Sequence, residues 1–471
     1  MTASTEGKNL AQVFIEHCPT YAVAAIDEIL AQWDHLFRDT IRPGQTVVLK
    51  PNWISHAHKY KPKEWQSVIT HPAVITSVLK IVLRHLRREG RVVIADGPQT
   101  DSSWQKIMHR MNPKLWLEMG SSHGIHVTLL DLRDDEWVVR AGVNVLRRKL
   151  PGDPLGSTVC ELNEFSEFNT HKPSKRGYYG ADYNTVETNL AHSHDHHRYK
   201  VAKSVISADV FINLPKMKTH KKAGITCSLK NLVGINTYKN WLPHHNEGTP
   251  DEGGDQFPES TLKKKVERVL SAKFKTYLYR HRAMGRFFIP LKILGKVLFG
   301  DTRSVIRSGN WYGNETIWRM ILDLNKVLLY ANPDGTLRIN DFTSCKKYLS
   351  IVDGIVAGEG NGPEAPDPKH TGLLIAGSNP VAVDAVCAKL MGFDWQKIPA
   401  IKSAFNIRHY PICSFSYHDI VAISSNPELH MNLEDIPPRA TFQFRPHFGW
   451  VGHIEELVSS LAVSGPPELQ R

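Results

Sequence analysis

Two short apolar runs separated by a helical pattern constrain this chain most. Thr46-Val-Val-Leu-Lys50 stops at Pro51-Asn52, and Arg91-Val-Val-Ile-Ala95 stops at Asp96-Gly97-Pro98. Between them, Val74, Ile75, Val78, Leu79, Ile81 and Val82 recur at helical spacing, with Thr70 as the expected N-cap, Pro72 in the first turn and Gly90 as the stop. Parallel strands need a long crossover, so this reads as a strand–helix–strand unit of a parallel sheet. Further strands are expected at 127–131, 205–214, 348–352 and 372–376. Amphipathic helices are expected at 22–38, after Asn310-Trp-Tyr-Gly-Asn314 and after Asn379-Pro380. The fold class that follows is α/β, parallel-sheet-rich, with Rossmann-like layers.

A length of 471 residues corresponds to about two or three domains. The pattern divides into an N-terminal α/β region at 1–200, a second α/β region at 201–254 and 309–425, and a C-terminal extension at 426–471. Between the halves of the second region, 255–308 is a basic helical insertion. Its lysines and arginines interleave with Phe287, Phe288, Ile289, Leu291, Ile293 and Leu294. Such a stretch can dock on an anionic membrane surface or a protein partner through 263–307, or pack as a helical subdomain.

The net charge of +11 favours anionic partners. No recognised nucleic-acid motif or aromatic stacking platform accompanies it, so a small anionic molecule is expected rather than DNA or RNA. Six cysteines lie far apart at 18, 160, 227, 345, 387 and 413, without a C-x-x-C pair. The first residues lack the basic start and apolar core of a signal peptide, and no apolar run is long enough to span a bilayer. The expected location is cytoplasmic and soluble.

Chemistry concentrates in the block Leu214-Pro-Lys-Met-Lys-Thr-His-Lys-Lys-Ala-Gly-Ile-Thr-Cys-Ser-Leu-Lys-Asn-Leu-Val-Gly234, which holds five lysines, one histidine and four hydroxyl or thiol side chains. Lysines among apolar neighbours lose hydration, and their pKa falls into a usable range. Sites in parallel sheets form beyond the carboxyl ends of strands. Four polar clusters are expected there and would meet in one composite cleft: 50–52, 96–100, 216–220 and 353–354. The catalytic candidates are His220, Lys230, Lys218, Asp96 and Asp353. Lys216, Asn52, His71, Asn231, Glu359, Asn361 and Gly362 are the candidates for holding substrate or anion, the last three on a glycine-rich loop. His194, His197 and His220 are candidate ligands for a divalent metal. A histidine-rich surface turn is the alternative for 192–197, and a solvated basic loop is the alternative for the lysine block.

Taken together, Leu49-Lys-Pro-Asn52, Thr70-His-Pro72, Asp96-Gly-Pro98, the 214–234 block, Gly309-Asn-Trp-Tyr-Gly-Asn314, Asp353-Gly-Ile355, Glu359-Gly-Asn-Gly-Pro363 and Pro380-Val-Ala-Val-Asp384 resemble the domain-of-unknown-function 362 family from about residue 45 to 395. That family has no general assigned reaction. Many members carry an attached ferredoxin-like cluster domain; its cysteines are missing here, so no iron–sulfur cluster is expected. The spacing of His220, Ala223, Gly224 and Lys230 is also similar to a block of the lactate racemase family. There a lysine ten residues after the histidine carries a nickel-pincer nucleotide cofactor. Cys227-Ser-Leu229 replaces that family's paired glycines. The residues of the lysine block, with Asp96 and Asp353, point to an enzyme moving a proton or hydride on a small anionic or oxygenated substrate. The alternative is a non-catalytic anion- or metal-binding module.

Overall fold

The computed structural model describes residues 11–140, 143–193, 195–261, 277 and 305–456. An 11-stranded sheet forms the centre. In chain order its strands are β1 (Gln12–His17), β2 (Thr46–Pro51), β3 (Arg91–Asp96), β4 (His126–Asp131), β5 (Val210–Leu214), β6 (Lys216–His220), β7 (Gly224–Thr226), β8 (Lys347–Asn361), β9 (Ala365–Gly377), β10 (Val421–Ser424) and β11 (Met431–Asn432). Across the sheet the order is β11-β10-β1-β9-β8-β5-β2-β3-β4, with β6 hydrogen-bonded to β7 and β8. The run from β8 through β5, β2 and β3 to β4 is parallel. The β8–β9 hairpin and the β1–β9 pair are antiparallel. The fold is therefore the expected α/β class with a mostly parallel central sheet.

Strands buried on both faces must be apolar at successive positions, and these are. Val47, Leu49, Val210, Ile212 and Leu214 pack into one core, while Val48 and Phe211 point into the other. The first core is closed by α1 (Val23–Gln32), α2 (Asp34–Thr40) and α3 (Pro72–Leu86). The second is closed by α4 (Ile317–Tyr330), α5 (Pro380–Leu390) and α6 (Pro399–Ala404). Helices thus cover both faces, as the alternation of strands and helices required. The stretch Pro62–Leu86 is long and apolar enough to cross a membrane, but 78% of its apolar window is buried inside the protein.

Several local expectations are corrected. The helix at 22–38 breaks at Trp33 into α1 and α2. The cap of α3 is His71, whose Nδ1 accepts from Ala73 N–H at 3.2 Å. Thr70 instead donates to the Leu214 carbonyl at 2.6 Å, tying α3 to β5. The strand at 205–214 starts only at Val210, because Lys203–Ile206 is a helical turn. Asp353 does not end a strand. It lies inside β8, which runs on to Asn361 because β9 supplies an antiparallel partner along its length. Residues 262–276 and 278–304 of the insertion, His194 and residues 457–471 lie outside the described residues.

Candidate functional site

Beyond the carboxyl ends of β2 and β3 lies a cavity of about 340 Å³. Its lining includes Lys50, Asn52, Asp96, His220, Lys230 and Asn231 from the sequence candidates. It also includes Lys221, Lys222, Lys239, His244, His245 and Glu364. Arg307, the last cation of the basic stretch, lines it too.

The floor is a closed ion pair. Lys50 Nζ lies 2.7 Å from Asp96 Oδ1, with both side chains at most 4% exposed. Asp96 also accepts from the N–H groups of Trp53 and Gly97 at 2.7 and 2.8 Å. A Cβ on Gly234 would stand 1.9 Å from Asp96 Oδ1 and 2.8 Å from Lys50 Nζ, so glycine is what admits the pair beneath that loop. Asp96 is therefore an orienting carboxylate, its lone pairs committed within the protein.

Lys230 sits on a single helical turn, Ser228–Asn231, held from three sides. Asp384 of α5 accepts from Ser228 N–H and Leu229 N–H at 2.7 and 3.0 Å. Asn325 of α4 donates to the Leu229 carbonyl at 3.0 Å. Asn231 donates to the Lys50 carbonyl and to Asn213 Oδ1, and it accepts from Asn52 Nδ2 at 3.0 Å. Both amide N–H groups of Asn231 are thus spent on positioning the turn rather than on a ligand.

The held residue is unlike its neighbours. Eight lysines are buried among the described residues. Lys50 and Lys216 pair with carboxylates. Lys218 meets Asn52 Oδ1 and the Val68 carbonyl, and Lys222 meets the His244 carbonyl and His245 Nδ1. Lys239 donates to the carbonyls of Val233 and Asn236. Lys326 pairs with Glu167, and Lys346 donates to the carbonyls of Ile206 and Ala208. Lys230, 7% exposed, has no acceptor among the described residues. Burial pushes its pKa down to about 7, and the charges of Lys221, Lys239 and Lys50 push the same way. Burial brings Lys239 to about 7 as well.

His220 shows its protonation state through its partners. Nδ1 accepts from the N–H groups of Lys222 and Ala223 at 3.0 and 3.1 Å. Backbone N–H can only donate, so the single proton of the neutral ring is on Nε2. Burial, then the Lys230 charge, holds the imidazole pKa well below its ordinary value. His220 is thus a hydrogen-bond donor, not a base, in the resting site. Glu364 lies well below the usual carboxylate range because of Lys221, and then Lys59, which it meets at 2.9 Å.

The expected single cleft divides in two. Lys216, Lys218, His71, Asp353, Glu359, Asn361 and Gly362 are not in the cavity lining. Lys216 and Asp353 form a second ion pair at 2.8 Å with no exposure. Tyr21 donates to Asp353 Oδ1 at 2.9 Å, and the N–H of His71 donates to Oδ2 at 2.9 Å. The amino end of α3 therefore binds the protein's own carboxylate, and His71 is stacked on Tyr21. Glu359 pairs outward with Lys369 at 3.4 Å. Gly362 is a packing glycine, since a Cβ there would lie 1.9 Å from the Thr219 carbonyl oxygen. The loop's contribution to the cavity is Pro363 and Glu364, which the sequence reading missed. Tyr179, Tyr183 and Lys239 were missed too, because nothing local links them to 214–234.

The metal expectation does not fit this donor set. Among the described residues no three His, Cys, Asp or Glu side chains converge as a metal centre. His197 is buried against Phe168 and His192, away from the cavity. His220 presents N–H rather than a lone pair. A nickel-pincer group would find the amine of Lys230 but, among the described residues, no group of three metal ligands.

Residues 157–389 match the family model described as Domain of unknown function (DUF362). The match is narrower than the 45–395 span of the sequence resemblance, so the blocks at 49–52, 70–72 and 96–98 fall outside it. A thylakoid-associated protein of Synechocystis is 38% identical over 71 residues, 15% of this chain. The chain thus covers only 22% of that relative's length. Among solved structures, a structural-genomics protein of Thermotoga maritima aligns over 74% of this chain and 53% of its own, at 9% identity and a TM-score of 0.30. The lactate racemase apoprotein of Thermoanaerobacterium thermosaccharolyticum aligns over 83% of this chain and 60% of its own, at 8% identity and a TM-score of 0.31.

Proposed function

We propose that the cavity binds a small anionic molecule and that Lys230 exchanges a proton with it, making the protein an enzyme on a carboxylate- or phosphate-bearing substrate. The observation that carries this reading is the buried amine of Lys230, which faces a polar cavity without an acceptor of its own. Its Nζ opens onto the cavity rather than being sealed in, so an anionic ligand can reach it in place of solvent. Lys221 and Lys222 line the same cavity and supply positive charge for an anion. An amine with a pKa near 7 is well matched to proton transfer at neutral pH. Of proton and hydride transfer, this residue set favours the first.

The test is thermal unfolding of the full chain with pyrophosphate or oxalate. Anion at about a hundredfold over Kd adds about 2.7 kcal/mol to stability. The wild type is expected to gain this and Lys230→Met to lose most of it. A wild type that neither anion stabilises would sink the reading. Binding without proton exchange on any carbonyl acid tested by NMR in D2O would leave a non-catalytic anion-binding module.

A further inference from the structure

We propose that the ligand of this cavity is a small oxo-acid, an aldehyde or ketone bearing a carboxylate or phosphate, and that Lys230 condenses with its carbonyl carbon to form an imine. This rests on the anion-binding reading above and names the substrate class for the same site.

Three observations converge on it. First, Lys230 lacks the acceptor that each of the other seven buried lysines has among the described residues. An ammonium needs acceptors, whereas a neutral amine needs only an electrophile. Second, neighbouring cations are a standard means of keeping a lysine unprotonated and nucleophilic. Lys221, Lys239 and Lys50 act on Lys230 in that way. All three line the cavity, and Lys221 provides for the substrate's anionic group. Third, the Nε2–H of His220 belongs to the same lining and is fixed as a donor by the two backbone bonds to Nδ1. A donor is what a carbonyl oxygen requires as negative charge builds on it.

The step balances without an outside oxidant or reductant. The amine lone pair forms the C–N bond, and the carbonyl π pair moves to oxygen. A proton passes from nitrogen to that oxygen, giving a carbinolamine. A second proton, from solvent in the cavity, lets the C–O bond break, and one water leaves. The resulting iminium withdraws electrons from the adjacent C–H, which makes removal of that proton feasible for a weak base. The imine thereby supplies the proton transfer proposed above.

The experiment is reductive trapping. The full chain is incubated with glyoxylate, or separately with pyridoxal phosphate, and treated with cyanoborohydride. Intact mass and peptide mapping locate the adduct. The expected result is one adduct per chain on Lys230, suppressed by excess pyrophosphate, with trapping that rises with pH through about 7. Lys230→Met, which removes the amine, should trap none while unfolding at or above the wild-type temperature. Adducts spread over surface lysines and unaffected by pyrophosphate would overturn the imine. Anion stabilisation without any adduct would overturn it while leaving the binding reading intact. Absence of both would remove the two together.

Discussion

The Lys216–Asp353 knot and the Lys230 cavity are built from the same short block of sequence, yet they solve the problem of a buried lysine in opposite ways. In the knot, the ammonium has a carboxylate at 2.8 Å and a tyrosine oxygen at 2.9 Å, and the carboxylate in turn takes bonds from Tyr21 and His71. Nothing is left over for a ligand. In the cavity, Lys50 and Asp96 are closed in the same manner, but Lys230 is not. A paired buried charge organises the protein; an unpaired amine beside open space is available for chemistry. Residue type alone does not distinguish the two. The number of acceptors within reach does.

The sharpest way to break this contrast is to cut the knot. Lys216→Met or Asp353→Leu strands a buried charge and is expected to cost about 3–5 kcal/mol in urea unfolding. The double variant should recover much of that loss, since both charges are gone. Singles that cost less than the double would show the pair is not coupled.

The same measurement on Lys230→Met should give no loss at pH 7, and a gain is expected, because a poorly solvated amine is replaced by an apolar chain. A loss as large as that of Lys216→Met would place Lys230 with the structural lysines. The pH dependence sharpens this. The folded-state pKa of Lys230 is about 7, below the unfolded value of about 10.4. Between these, the unfolded chain holds a proton that the folded chain lacks, so stability rises with pH. The penalty is complete below about 7 and relieved toward 10.4. Lys230→Met should therefore show a shallower rise than wild type across that window, and parallel curves would refute the shift.

The smallest expected effect concerns His220. Asparagine can mimic the Nδ1 acceptor but not the Nε2 donor. His220→Asn should keep the wild-type melting temperature and weaken pyrophosphate binding by about tenfold, near the value of one charge-assisted hydrogen bond. A melting temperature that collapses would make the ring's role structural.

Much of the scaffold was legible in advance. The apolar runs of β2, β3 and β5 and the spacing along α3 and α5 are dictated by burial on two faces of a sheet, and burial writes itself into residue type. The lysine block was legible as unusual, and Lys230 and His220 do share a cavity with Asn52 and Asp96. What misled was position along strands. The run at 348–352 ends near Asp353 by its pattern, because glycines follow it. The antiparallel pairing with β9 carries β8 through those glycines and places Asp353 in the interior. Lys239 and Glu364 gave no local signal, and the role of Asp384 was not legible from its block, since each acts across more than a hundred residues or around a turn that only packing creates.

The order of residues by itself determined the layers, the parallel core and the concentration of cationic chemistry at 214–234, because hydrophobic periodicity and charge are local properties of a chain. Only the tertiary structure decided which lysines are satisfied. Partnership depends on distances between segments far apart in the sequence: β8 brings Asp353 to Lys216, and α5 anchors the turn that leaves Lys230 without an acceptor of its own.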